Sequence, residues 1–328
     1  MTGWSKRAGV ALGALAGGAA LAAGGWIAYS RLAIDHHLPL PPALDAGRER
    51  FGGGFAGNLH AYVDRSGEGV PLVLLHSINA AASAYEVRPL FEHFRGRRPV
   101  YALELPGFGF SERANRPYTA RVYTNAIIDL LETQLDGPAD LLALSLSSEF
   151  AARAALERPA RVRSLALLSP TGLGPDSSRT GPNERVYRLL SFPLWSQALY
   201  DLLVTRSSIR YFLRQSFYGE PDDGLIAYSY RTAHQPGARF APLAFISGKL
   251  FSPDIRRAVY EKLTQPVLVL YDQDAYTRFD ALPDLLMQHD NWQAQRIIPT
   301  RGLPHFDQPE QTFRALEAFW LGLEDGER

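Results

Sequence analysis

The chain has 328 residues, in which thirty-four Lys and Arg balance thirty-four Asp and Glu, with eight His and no Cys. Hydrophobic residues at 46% and charged residues at 21% are ordinary globular proportions, which exclude wholesale disorder, a collagen-like chain and a polytopic membrane protein. Balanced charge leaves no basic field to gather nucleic acid, and the lack of Cys removes disulfides, thiolate chemistry and cysteine-bound zinc. The histidines show no short-spaced metal pairing, so no metal site is expected.

In chain order, the first element is an uncharged stretch of twenty-three residues from Ala8 to Ser30, long enough to cross a hydrocarbon core as a helix. Lys6 and Arg7 precede it, which orients the N-terminus to the cytoplasm and the body of the protein outward. Three readings stand: a retained single-pass anchor, a signal cleaved near Ala20-Leu21-Ala22 that releases a secreted protein, and a buried soluble helix. Trp26 and Tyr29 suit an interfacial belt and favour the anchor. Gly9, Gly13 and Gly17 form a smooth strip on which a weak homodimer could pack. His36-His37 and Pro39, Pro41 and Pro42 then read as a stiff tether.

From about residue 58, short apolar runs alternate with helical stretches, the signature of a doubly wound, mostly parallel sheet. The expected strands are 58–64, 70–75, 100–105, 139–144, 164–168 and 267–271, and the expected helices include 120–135, 148–156 and 310–323. Between Gly172 and Thr264 the alternation gives way to aromatic-rich helical patterns, including Phe192, Trp195, Tyr200, Tyr211 and Phe217. This insertion reads as a helical lid, with aromatics that fill its own core and some that wall an apolar cleft.

The most informative stretch is Leu141-Leu-Ala-Leu-Ser145-Leu-Ser147-Ser148, an apolar strand running through a serine into a helix. A sharp strand-to-helix corner crowds the backbone and requires small residues two before and two after the exposed serine; Ala143 and Ser147 meet that need. Ser147 and Ser148 also suit helix caps. The stretch resembles the G-x-S-x-G nucleophile elbow of the α/β-hydrolase family, with Ala and Ser where glycines are commoner. Val73-Leu-Leu-His76-Ser77-Ile78-Asn79 resembles that family's oxyanion turn, with Ser77 in place of glycine. Leu103-Glu104-Leu-Pro106-Gly107-Phe-Gly109-Phe-Ser111 resembles its D-x-P-G-x-G-x-S loop.

The resemblance spans most of residues 58 to 325 in the family's order and implies an α/β-hydrolase core over 58–172 and 262–328. A lid occupies 173–261, a tether 36–57, and the membrane or signal segment with its apolar helix 1–35. It also implies a cofactor-independent serine hydrolase acting on an apolar or lipid-like acyl substrate, with Ser145 as nucleophile and the N–H groups of Ile78 and Leu146 as oxyanion donors. His76, Ser77 and Trp195 are expected to line the substrate site. The family places its acid after a late core strand, at Asp274 or, failing that, Asp272. Pro299-Thr-Arg-Gly302-Leu-Pro304-His305 resembles the terminal histidine loop in two registers. One makes His305 the base, with His289 the only other histidine nearby; the other, matching Leu303-Pro304-His305 to the family's common L-P-H, puts Gly302 in the histidine's place. Acyl transfer on the same residues, and a membrane-held binding or assembly protein without turnover, remain alternatives.

Overall fold

A computed structural model describes residues 21–52, 54–175 and 181–326. Eight strands form one sheet: β1 (Gly47–Gly52), β2 (Asn58–Asp64), β3 (Leu72–Leu75), β4 (Val100–Glu104), β5 (Ala139–Leu144), β6 (Val162–Leu168), β7 (Val267–Tyr271) and β8 (Trp292–Arg296). Their order is β1-β2-β4-β3-β5-β6-β7-β8. The β1–β2 and β2–β4 pairs are antiparallel and the remaining pairs parallel.

Strand side chains alternate between two buried faces. Val73, Leu75, Leu141, Leu165, Leu167 and Val269 pack on one side with Ile127 and Leu131 of α3 (Ala120–Thr133) and Phe150 of α4 (Ser147–Glu157). Leu72, Leu74, Leu142, Leu144, Leu168 and Leu270 pack on the other with Phe91 of α2 (Arg88–Phe94) and Leu316 and Trp320 of α13 (Pro309–Gly326). Each fully buried leucine contributes about 1.5–3 kcal/mol of transfer free energy. The central strands therefore hold firmly whatever their carboxyl ends present.

Six of the eight strands match the expected runs, with ends shifted by up to two residues. The two additional strands are the sheet edges. β1 lies within the stretch expected as tether and reads Gly-Arg-Glu-Arg-Phe-Gly; β8 reads Trp-Gln-Ala-Gln-Arg. An edge strand faces solvent along most of its length, so it needs no apolar run and leaves none to read.

Six helices lie between β6 and β7: α5 (Glu184–Leu190), α6 (Ser196–Leu203), α7 (Arg206–Ser216), α8 (Asp223–Ala233), α9 (Phe240–Ile246) and α10 (Ile255–Ala258). A helix over 21–32, here α1, docks on this insertion. Its Trp26 indole N–H donates to the Ala198 carbonyl at 2.7 Å, and its Ser30 hydroxyl donates to Asp201 at 2.6 Å. No described helix is long and apolar enough to cross a membrane. Most of the expected anchor, including the Gly9, Gly13 and Gly17 strip, lies outside the described residues.

Candidate active site

Ser145 directly follows β5 and stands two residues before the start of α4, with a left-handed φ of 49°. That conformation is costly for a residue with a Cβ and is retained where surrounding structure over-determines it. Here the Ser145 N–H donates to the Leu168 carbonyl at 2.9 Å and its own carbonyl accepts from Ser148 at 3.1 Å. Ala143 and Ser147 flank the corner and are fully buried. The Ser147 hydroxyl donates to the His76 carbonyl at 2.6 Å and so ties the elbow to the turn after β3. Ser145 itself remains partly exposed.

That turn is shaped by Glu86, a buried carboxylate that the sequence pattern did not single out. It accepts from the Ser77 N–H at 2.8 Å and from the Asn79 side chain at 2.6 Å. Burial raises its pKa despite these donors. The backbone N–H groups of Ile78 and Leu146 donate to no acceptor among the described residues. Leu146 directly follows Ser145, and Ile78 lies two residues after His76, whose carbonyl the Ser147 hydroxyl binds.

His76 and Ser77, expected at the substrate, build the turn, where Ser77 is partly exposed. The His76 Nδ1–H donates to the Ser77 carbonyl at 2.7 Å while Nε2 accepts from the Leu105 N–H at 3.1 Å. Burial pushes His76 down to about 4, which keeps this ring neutral. The Ser77 hydroxyl accepts from the Asn79 amide at 3.0 Å. Trp195 caps α6, where its indole N–H donates to Leu189 at 2.8 Å and its ring lies 4.4 Å from Phe192. It packs within the lid.

Of the two candidate acids, Asp272 is spent on structure: it accepts from Arg296 at 2.8 Å and from the Thr300 N–H at 3.1 Å. Asp274 has one oxygen on the backbone N–H groups of Tyr276 and Thr277, at 2.7 and 3.0 Å. Its other oxygen faces Gly302, where a Cβ would lie 2.8 Å from Oδ2. Burial pushes Asp274 up to about 6 against these hydrogen bonds.

His305 occupies α12 (Pro304–Asp307), and the structure uses its ring elsewhere than at the elbow. The Nε2–H donates to the Glu86 carbonyl at 2.7 Å, Nδ1 has no partner, and the residue is fully buried. Among the described residues, no hydrogen bond joins it to Ser145 or Asp274. Desolvation pushes it down to about 4. Of the two sequence registers, the one that sets residue 302 beside the acid agrees with this geometry, and residue 302 is glycine. His289 follows α11 (Leu282–Gln288) and precedes β8, close to the amino end of that edge strand.

A cleft of about 530 Å3 lies between the lid and the loop after Asp274, and none of Ser145, Ile78, Leu146 or Asp274 lines it. Thr171 and Thr277 line it beside Val186, Phe245, Ile246 and Phe251. The Thr171 N–H faces the Ser145 carbonyl at 3.4 Å, and the Thr277 N–H is the one held by Asp274.

Residues 72–315 match the family model described as alpha/beta hydrolase family. The chain is 33% identical over 134 residues to 1-acylglycerol-3-phosphate O-acyltransferase ABHD5 of Rattus norvegicus, covering 39% of this chain and 36% of the relative. It is 34% identical over 120 residues to a pimeloyl acyl-carrier-protein methyl ester esterase of Nitrosospira multiformis, covering 35% and 44%. Each match thus spans less than half of the relative's length. Among solved structures, a membrane phospholipase A described as a bacterial virulence factor superposes with a TM-score of 0.65 at 18% identity, covering 99% of both chains.

Proposed function

The chain belongs to the alpha/beta hydrolase family, and from that premise we propose that it is a membrane-associated esterase whose Ser145 attacks the carbonyl of an apolar, lipid-like ester. The observation that carries this reading is the left-handed backbone at Ser145, a partly exposed residue on the strand-to-helix corner that the Ser147 hydroxyl ties to the turn carrying Ile78. As Oγ bonds to the carbonyl carbon, the carbonyl oxygen gains charge that the N–H groups of Ile78 and Leu146 stabilise by several kcal/mol at most, roughly 3–4 for a single strong donor. Asp274 is the acid of the site. The cleft walled by Val186, Phe245, Ile246 and Phe251 suits the apolar arm of the substrate.

An ester substrate is in keeping with the esterase and the phospholipase to which the chain is similar. Membrane association draws on the uncharged stretch before Arg31. The test is labelling with a fluorophosphonate probe, resolved by peptide mass spectrometry. An adduct on Ser145, absent from Ser145→Ala, supports the reading; an intact fold with no adduct at this serine overturns it.

Gly302 favours a second reading, in which the site binds an acyl ester without turning it over. That reading expects saturable binding of a non-hydrolysable ester analogue, with the same affinity in wild type and Ser145→Ala.

A further inference from the structure

Between Ser77 and Ala82 the turn after β3 has no strand or helix of its own, so side chains must hold its backbone. The Ser77 N–H donates to Glu86 at 2.8 Å, the Ser77 carbonyl accepts from the His76 ring at 2.7 Å, and the Ala81 N–H donates to the Asn79 side chain at 2.8 Å. Those three ties come from the turn and the segment that follows it. A fourth comes from the lid: the Tyr200 hydroxyl donates to the Ala80 carbonyl at 2.7 Å, across 120 residues of sequence. Tyr200 is 1% exposed and packs with Ala81, Val204, Ile209 and Ile226. Burial raises its pKa, so the hydroxyl remains a donor at any working pH.

Tyr200 lies on α6, an eight-residue helix, and its neighbours on that helix receive α1. The Ala198 carbonyl accepts from Trp26 at 2.7 Å, and the buried Asp201 carboxylate accepts from Ser30 at 2.6 Å and from His36 at 3.1 Å. Consecutive helix residues point about 100° apart. One short backbone therefore serves two partners, with Asp201 turned to α1 and Tyr200 to the turn. A helix of two turns closed by its own hydrogen bonds moves as a unit, so a shift of α6 reaches the Ala80 carbonyl, two residues past Ile78.

We propose that Tyr200 is a positioning residue for the turn that carries Ile78, and that through it the docking of α1 on α6 sets the reactivity of Ser145. The proposal deepens the esterase reading and rests on it. Tyr200 does not meet the reacting atoms; it fixes the backbone from which the Ile78 N–H is aimed. Misplacement of such a donor is felt as charge develops on the oxygen, and much less when substrate first binds. A chain with α1 undocked is then a slower enzyme of unchanged affinity.

The experiment follows fluorophosphonate labelling of Ser145 in the full chain over time at several probe concentrations, which separates the limiting rate from the half-saturating concentration. Tyr200→Phe removes one oxygen and keeps the ring. Its limiting rate is expected to fall at least about fivefold, with the half-saturating concentration unchanged. Trp26→Ala combined with Ser30→Ala removes two contacts from the α1 side and leaves α6 and the turn intact; the limiting rate should fall by a similar factor. Joined to Tyr200→Phe, that pair should lower the rate no further, the mark of changes that act through one contact. The α1 pair lies outside the two cores that flank the sheet, so it decides the question even if Tyr200→Phe does not fold. A wild-type limiting rate in Tyr200→Phe or in the α1 pair overturns the proposal, as do factors that multiply when the changes are combined. So does a fall no larger than the loss of folded fraction, read by circular dichroism on the same samples. Labelling of the wild type without these dependences sinks only the role of Tyr200, whereas no adduct on folded wild type sinks the esterase reading and this proposal with it.

Discussion

Glu104 is a carboxylate in a place with almost no water. It is fully buried, and its Oε2 accepts from the Phe110 N–H at 2.6 Å. Burial pushes its pKa up to about 7, with the Phe110 bond and then the charge of Arg113 pulling the other way. The sign follows from linkage. A folded-state pKa raised above the unfolded value means that stability is full below about 4.5 and is lost as pH rises through about 7. Glu104→Gln carries no such charge. Its melting temperature should therefore gain on the wild type between pH 5 and pH 8, by an equivalent of roughly 2–3 kcal/mol. A gap that does not change with pH would contradict the assignment. His305 has the opposite sign: desolvation holds it near 4, so its contribution is present above about 6.5 and is lost as pH falls through 4. His305→Asn should destabilise the fold by about 1–3 kcal/mol through the orphaned Glu86 carbonyl. Fluorophosphonate labelling of Ser145 should then fall only with the folded fraction, measured on the same samples by circular dichroism; loss of labelling from fully folded protein would return His305 to the relay.

At the scale of elements, what was legible in the sequence is what burial wrote there. β3, β5, β6 and β7 are covered on both faces, so they appear as apolar runs, and the small residues around Ser145 mark the corner that follows β5. β1 and β8 alternate charged or amide side chains with a few apolar ones and pass for loop. Glu86 was illegible for another reason. Its role depends on the N–H of Ser77 and the ring of His305, nine residues before it and 219 residues after it, and no local pattern records such a meeting. The docking of α1 was equally hidden, since Asp201 in α6 gathers Ser30 at 2.6 Å, His36 at 3.1 Å and Gln197 at 2.8 Å from three places in the chain. Because Asp201 is buried beneath α1, Asp201→Ala leaves the other three polar groups without their acceptor. Limited trypsin digestion should then cut at Arg31 about tenfold faster than in the wild type, since opening of this contact exposes the bond. An unchanged cutting rate would mean that Trp26 and the Arg31 guanidinium, on the Pro193 and Leu194 carbonyls, hold α1 alone.

At the scale of the molecule, α1 and the lid helices each leave large apolar side chains in solvent. Leu21 and Leu32 are 80% and 88% exposed on α1, and Leu189, Leu194 and Leu202 of the neighbouring lid are 61%, 50% and 50% exposed. Arg31 donates to the carbonyls of Pro193 and Leu194, which ties α1 to the segment that precedes α6. Exposed large apolar side chains such as these, where they meet in one patch, mark a membrane or partner surface. In sequence, the residues from Ala8 to Ala20 continue the uncharged stretch that ends at Ser30. The esterase reading expects a bilayer against these side chains, with the lid's outer leucines at the level of the headgroups. Removing one such leucine from lipid contact costs about 1.5–3 kcal/mol, or roughly tenfold or more in partition. The full chain should therefore cosediment with phosphatidylglycerol vesicles, and the double substitution Leu189→Asp with Leu194→Asp should weaken that partition at least about tenfold while leaving the melting temperature in place. Both side chains are already outside the core, so their replacement opens no cavity. If the doubly substituted chain partitions like the wild type, the stretch before residue 21 holds the membrane by itself, and the lid faces water.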